Sequence, residues 1–371
     1  MAAACVFFAG GGTGGHLYPG ISVAQALRRR WPEAECVFLC TEREIDRTIL
    51  QPTGFEFIGQ PIVPLVKSIS GLLRFSTGWR ETKDLVRKVR RQRKPAAVLG
   101  LGGYAAGVAV KSCATHNIPA AILNPDVIPG KANQYLMRYA KTVCCQFDQT
   151  RVHVPASHQG KLRTTGCPVR AEILALPSRE TAAKSLGLDP LLRTLVVTGA
   201  SQGAQTVNQA VLTALEGIKL QGWQILHLSG KEHAEEVRSG YRDLGNLPVR
   251  VIDFTAEMHD IWAVADLAIC RSGASTCAEL TACSIPSILF PYPFHKDMHQ
   301  RANARVLADA GAAILMEDTK DRRSNAIALL PALQSLLYDA NRRQSMAEAA
   351  KKISRPDAAD AVAEVIMQMI G

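Results

Sequence analysis

The chain predicts an α/β protein of two Rossmann-like domains, each on a parallel sheet, and three observations carry that prediction. Short apolar runs alternate with helical stretches along most of the sequence, the pattern of parallel strands joined by crossover helices. A glycine-rich turn follows the first apolar run, and the pattern restarts near residue 195 with a second glycine-rich turn. At 371 residues there is chain enough for two hydrophobic cores.

Residues 5–9 are apolar on both faces, as a strand covered by helices on each side must be. They run into Gly10-Gly11-Gly12-Thr13-Gly14-Gly15-His16, and a helix is expected over 19–30 with Pro19 in its first turn. Strands follow at 36–40, 96–101, 119–123 and 142–147, with a basic helix over 85–93. The strand at 96–101 breaks into Gly102-Gly103-Tyr104. The stretch from Gly166-Cys167-Pro168-Val169-Arg170 to Pro177 reads as the linker, which divides the chain into domains 1–166 and 167–355. In the second domain, 195–198 leads into Gly199-Ala200-Ser201-Gln202-Gly203-Ala204 and a helix near Thr206. Strands at 224–228, 249–252 and 267–270 come next. The last breaks at Arg271-Ser272-Gly273, and Ser275 or Thr276 is expected to cap a helix with Glu279 near the end of its first turn. Pro286 opens another apolar strand that ends in Pro291-Tyr292-Pro293 before the polar run His295-Lys296-Asp297-Met298-His299-Gln300. A final helix is expected over 358–369, after Arg355-Pro356-Asp357.

Bulk composition narrows the function classes. Hydrophobic residues make up 47% and charged residues 20%, values of a globular protein. A formal net charge of +10 favours anionic partners: nucleic acid, an acidic bilayer or phosphorylated substrates. The ten cysteines are scattered, several in apolar runs, without paired CxxC motifs or spaced histidines; buried free thiols are expected, and metal ligation is not. The start MAAACVFFAGGG lacks the basic residues of a signal peptide, and residues 95–110, an uncharged stretch rich in glycine, are too short to span a bilayer.

The motifs point to phosphate chemistry. Gly10-x-Gly12-x-x-Gly15 after a strand lets backbone approach a diphosphate and turns N–H groups toward it. A dinucleotide cofactor is one reading, with Glu42 as the acid after the second strand; the further glycine turns and His16 weigh against it. Residues 269–300 join two strand ends, a helix start and a polar cluster, which suits a phosphorylated, polyhydroxylated ligand.

Six segments in order carry a family resemblance: GGTGGHLYPG, LGLGGYAAG, GCPVR, GASQGAQTVNQ, SGAST with Glu279, and HKDMHQ with Asn303. Together they resemble the MurG family, glycosyltransferases that move N-acetylglucosamine from UDP onto lipid I, undecaprenyl-pyrophosphoryl-N-acetylmuramoyl-pentapeptide. The resemblance implies a GT-B fold, two facing Rossmann-like domains with the active site in the interdomain cleft and the last helix, within 356–371, packed back on the first domain. It implies His16 as general base, with Thr13, Gly14, Gly15, Gly102, Gly103 and Tyr104 lining the acceptor diphosphate site. On the donor side it implies Ser201, Gln202 and Gly203 at the phosphates and Arg170 near the nucleotide. Phe254, Thr255 and Met258 fall in the uracil-reading segment, and Ser272, Gly273, Ala274, Ser275 and Thr276 form the donor loop. Glu279 would take the ribose hydroxyls, and His299 and Gln300 the sugar hydroxyls, with His299 standing where the family usually has Gln.

Two departures and one surface complete the reading. Where the family usually carries His-Glu-Gln-Asn, this chain has Leu123-Asn124-Pro125-Asp126. Asn124 and Asp126, two apart on extended backbone, would share one face and orient the acceptor, making Asp126 the alternative base. No Asp-x-Asp occurs, so a glycine loop, a helix dipole and Arg170 are expected to hold the leaving diphosphate without metal or cofactor. Residues 64–94 interleave Leu65, Val66, Ile69, Leu72, Leu73, Phe75 and Trp79 with ten basic side chains. That mixture suits peripheral binding to the anionic cytoplasmic face of a membrane more than nucleic acid. Other cell-wall synthesis proteins are further candidate partners. Another GT-B transferase acting on a glycolipid or small molecule, an NAD(P) oxidoreductase and a non-enzymatic binding module remain the alternatives.

Overall fold

The computed structural model describes residues 4–199, 203–245, 247–294 and 297–371. The chain forms two compact units: one ends at Arg170 and is rejoined by Pro356–Gly371, and the other is Ala171–Arg355. Cys167 and Val169, in the stretch read as a linker, are buried.

The first unit holds seven parallel strands: β1 (Ala4–Gly10), β2 (Ala34–Thr41), β3 (Glu56–Gln60), β4 (Ala97–Gly102), β5 (Ala120–Asn124), β6 (Thr142–Cys145) and β7 (Leu162–Thr164). Their order across the sheet is β3-β2-β1-β4-β5-β6-β7. Alternation along the strands divides the core in two. Val6, Phe8, Phe38, Leu99 and Leu101 pack with the helix Gly14–Arg30 and the last helix, Ala358–Ile370. Phe7, Ala9, Leu39, Val98 and Ile122 pack with the helices Ile69–Arg93, Ala106–Ala114 and Lys131–Leu136. Arg29 pairs with Asp360 at 3.2 Å, which adds little beside the buried Val362, Ala363 and Ile366.

The second unit repeats the plan with β8 (Arg193–Thr198), β9 (Trp223–Leu228), β10 (Val249–Ile252), β11 (Ala265–Cys270), β12 (Ser287–Leu289) and β13 (Ala313–Leu315). The order is β10-β9-β8-β11-β12-β13, again parallel throughout. Leu195, Val197, Ile225, Leu267, Ile269 and Phe290 form its core with the helices Gln205–Leu215 and Arg322–Tyr338.

Three element expectations need correction. The first helix starts at Gly14, inside the glycine run, so Pro19 is its sixth residue instead of a first-turn residue. The helix after β11 is Ala274–Ala282 with Gly273 as its N-cap and no side-chain cap, so Ser275 and Thr276 are not caps and Glu279 lies in the second turn. The basic helix runs over Ile69–Arg93, not 85–93, and Ser68 caps it by accepting from the Gly71 N–H at 3.0 Å. Only Gly78, Thr82, Val86 and Val89 on it are buried, a stripe too narrow to announce a 25-residue helix. Among the described residues no helix is long and apolar enough to cross a membrane.

Candidate functional site

Strand order decides where ligands bind. In each sheet the order reverses beside the first strand, at β1/β4 and at β8/β11, and open α/β sheets bind ligands beyond the strand ends at that switch point. All four glycine turns noted in the sequence follow these four strands.

At the β1/β4 point, the helix Gly14–Arg30 presents N-terminal N–H groups that have no intrahelical acceptor. The loop before it is held by Asp46, a fully buried carboxylate. Asp46 accepts from the Gly12 N–H at 2.7 and 2.9 Å, from the Thr41 N–H at 2.8 Å and from the Thr41 hydroxyl at 2.7 Å. The Gly12 N–H therefore faces Asp46, leaving ligand binding to the helix start. Arg43 donates to the Gly12 carbonyl at 2.7 Å, with its guanidinium charge close to the Tyr104 hydroxyl.

His16 lies in the first turn of this helix. Its Nδ1 is 3.2 Å from the Gly11 carbonyl and 3.1 Å from the Thr13 hydroxyl. A carbonyl only accepts, so Nδ1 carries the hydrogen and Nε2 keeps a lone pair. Burial lowers the imidazole pKa below its ordinary value, against the opposing pull of the Gly11 carbonyl, Asp126 and Asp46. The ring is neutral at neutral pH. Asn124 is buried, and its amide nitrogen donates to the Asp126 backbone carbonyl at 2.7 Å. Arg170 stacks its guanidinium 4.7 Å from the centre of the Tyr18 ring.

In the second unit, Ser201 and Gln202 lie outside the described residues. Gly203 has φ +75°, and a Cβ there would stand 2.2 Å from the Ser229 carbonyl, so only glycine fits. Arg271, buried at the end of β11, binds together the surrounding loops. Its Nη1 donates to Asp318 at 2.7 Å and to the Phe290 and Pro291 carbonyls at 3.1 Å, and its Nη2 donates to Thr206 at 2.8 Å. Burial works against the Asp318 carboxylate, but hydrogen bonds from Thr206, Asn325, Arg271 and the Lys320 N–H hold its pKa below the usual value.

The donor loop is knitted in the same way. Ser272 donates to the Gln300 carbonyl at 2.9 Å, and Asn303 donates to the Ser272 carbonyl at 3.2 Å. Gln300 Oε1 accepts from the Tyr292 N–H at 2.9 Å, and His299 Nδ1 lies 2.7 Å from Asp297. Glu279 accepts from the Trp262 indole N–H at 2.8 Å. Gly273, Ala274, Ser275 and Thr276 form the start of this helix, and Phe254, about half exposed, lies 5.8 Å from Lys231 Nζ. Thr255 accepts from the Glu257 N–H at 3.0 Å, and Met258 opens the helix Met258–Val264.

Residues 6–145 match the glycosyltransferase family 28 N-terminal domain, and residues 194–362 match the family 28 C-terminal domain. The chain is 34% identical over 377 residues to the UDP-N-acetylglucosamine--N-acetylmuramyl-(pentapeptide) pyrophosphoryl-undecaprenol N-acetylglucosamine transferase of Desulforudis audaxviator (strain MP104C), covering 99% of this chain and 98% of that protein. The chain belongs to the MurG family. A crystal structure of Acinetobacter baumannii MurG matches at TM-score 0.76 and 25% identity, covering 98% of this chain and 99% of that one. A UDP-GlcNAc 2-epimerase from Neisseria meningitidis, 13% identical at TM-score 0.70 over 98% of this chain and 100% of that one, shares the fold alone. The fold is thus GT-B and the protein a family 28 glycosyltransferase, which sets aside the oxidoreductase and binding-module readings.

Sequence reasoning missed three residues that hold the loops of the two units: Asp46 and Asn133 in the first, the latter donating to the Asn124 side chain at 3.1 Å, and Arg271 in its role as a hub in the second. Asp46 and Gly12 are 34 positions apart, and no local signal links them. Phe75 and Trp79 belong by sequence to the apolar residues of the basic segment 64–94. Both are half-buried, and Trp79 packs 3.3 Å from where a Gly107 side chain would be. The exposed members are Leu65, Val66, Ile69, Leu72 and Leu73.

Proposed function

We propose that this enzyme transfers N-acetylglucosamine from UDP-N-acetylglucosamine to lipid I, with inversion, to form lipid II for peptidoglycan. The observation that carries the mechanism is the tautomer of His16, neutral and with its Nε2 lone pair beside a diphosphate-type glycine loop. The acceptor hydroxyl oxygen bonds to the anomeric carbon of the donor, the bond from that carbon to the phosphate oxygen breaks, and UDP leaves with the electron pair. The hydroxyl proton passes to His16 Nε2. Thr13, Gly14, Gly15, Gly102, Gly103 and Tyr104 bind the acceptor diphosphate, with Asn124 shaping the site below it. The charge of Asp126 stabilises the imidazolium as it forms, and Asp126 is the alternative base.

On the donor side, Ser201, Gln202 and Gly203 with the start of the helix Gln205–Leu215 take the diphosphate, assisted by Arg170 and with no metal or cofactor. Phe254, Thr255 and Met258 read uracil and Glu279 the ribose. Ser272 to Thr276 position the sugar, whose hydroxyls meet His299 and Gln300. Relatives whose names state this donor and acceptor, at 34% identity over nearly the whole chain, support the substrates. The exposed Leu65, Val66, Ile69, Leu72 and Leu73 on a basic segment support peripheral binding at the cytoplasmic membrane face, where other wall-synthesis proteins are candidate partners. Incubation with UDP-N-acetylglucosamine and a lipid I analogue, followed by mass spectrometry, tests the reaction. An acceptor recovered without the added sugar mass refutes it.

A further inference from the structure

Glu279 is the acid proposed for the ribose, and the structure shows what holds it. It stands on the helix Ala274–Ala282, which starts after β11 at the switch point of the second sheet. Ser275, Thr276 and Glu279 are all partly exposed, and spacings of three and four residues put them on one helical face. The Glu279 carboxylate can therefore be reached from outside. Its Oε2 accepts from the Trp262 indole N–H at 2.8 Å. Trp262 is only 2% exposed and lies in the helix Met258–Val264, which runs directly into β11. One strand thus carries the donor just before it and the acceptor just after it.

A buried indole has one hydrogen to give and needs one acceptor, a need that any backbone carbonyl could meet. A carboxylate has two oxygens with about four lone-pair positions, so a single indole leaves it capacity for further donors. The bond therefore does more for the glutamate than for the tryptophan. A glutamate on a partly exposed helix face has several torsions to order before it can read a ligand. A rigid indole in the protein interior orders them in advance, which lowers what binding has to supply. The ligand that gains most brings two donors side by side. The 2′ and 3′ hydroxyls of a ribose do so, and a phosphate does not.

We propose that Trp262 is a positioning residue for the donor: it holds the Glu279 carboxylate in the orientation that takes the ribose hydroxyls, and so sets the preference for a ribonucleotide. This rests on the reading of Glu279 as the ribose acceptor. The helix that supplies the indole opens with Met258, proposed for uracil, so one short element serves both base and sugar of the nucleotide.

The test pairs an enzyme change with a ligand change. UDP and 2′,3′-dideoxy-UDP are titrated by calorimetry into the wild type, Trp262→Phe and Glu279→Ala. Wild type is expected to bind UDP at least about tenfold more tightly than the dideoxy form, the discrimination of one hydrogen bond to a charged group. Trp262→Phe should lower that ratio to about threefold or less through weaker UDP binding, with the dideoxy affinity within about twofold of the parent. A merely structural role would weaken both nucleotides alike and keep the ratio, and that result overturns the proposal. Where Trp262→Phe does not fold, β-(3-benzothienyl)alanine at position 262 replaces only the indole N–H by sulfur and is held to the same ratio. If wild type and Glu279→Ala discriminate alike, Glu279 is not the ribose acceptor and both readings fall. If Glu279→Ala loses the preference and Trp262→Phe keeps it, the ribose reading stands and Trp262 has no part in it.

Discussion

Replacement of Asp46 by Asn tests whether one buried carboxylate holds the first glycine loop. The carboxylate is fully buried and takes hydrogen bonds from the Gly12 N–H, the Thr41 N–H and the Thr41 hydroxyl, at 2.7 to 2.9 Å. Each hydrogen bond to a charged group is worth about 1.5–3 kcal/mol, and one between neutral groups about 0.5–1.5 kcal/mol. Asn keeps the shape and drops the charge, so three donors lose roughly 1 kcal/mol each, ~3 kcal/mol in all. The amide NH2 must also face a donor. For a unit of this size that predicts a melting temperature lower by roughly 6–12 °C. The loop it holds is the one proposed to bind the acceptor, so acceptor KM should rise while the KM for UDP-N-acetylglucosamine stays put. Circular dichroism melts and steady-state kinetics of Asp46→Asn give both readings. A transition within about 2 °C of the parent, with unchanged acceptor KM, would show that Asp46 does not organise the loop.

Three other outcomes are expected. His16 acts as a base only when neutral, and burial holds its pKa below the ordinary imidazole value, so activity should be lost only as pH falls below the ordinary imidazole range. Asp126 raises that pKa, so Asp126→Asn should move the acid limb of kcat/KM to lower pH; loss of turnover at every pH would instead make Asp126 the base. Changing Ile69, Leu72 and Leu73, which are 82%, 53% and 65% exposed, to Ser should weaken co-sedimentation with anionic vesicles by at least about tenfold while activity on a short-chain acceptor survives. Undiminished vesicle binding would leave the patch without that role. Glu279→Gln keeps an oxygen for the buried Trp262 indole, so the free protein should melt as before while UDP raises its melting temperature less than in the parent. An unaltered UDP shift would remove Glu279 from the ribose site.

Most of the architecture was legible because its signals are local. An apolar strand running into glycines, repeated once, needs only a few consecutive residues to be read, and so does a six-motif family resemblance. Helix boundaries were less legible where the signal was thin. Gly14 begins a helix because the first turn needs no intrahelical N–H partners, and residues 69–84 are helical with only Gly78 and Thr82 of them buried. The candidate site was legible in its loops and not in what holds them. Asp46 reaches Gly12 across 34 positions, Asn133 reaches Leu123 across 10, and Arg271 reaches Asp318 across 47. Those contacts exist because β2 lies beside β1, the helix Lys131–Leu136 returns to β5, and β12 and then β13 lie beside β11. By itself, then, the sequence determined the two sheets, the glycine turns and the identity of His16. The tautomer of His16, the fixed Asn133 amide and the buried Arg271–Asp318 pair were decided by tertiary structure, since a hydrogen bond's direction depends on partners that chain folding alone brings within 3 Å.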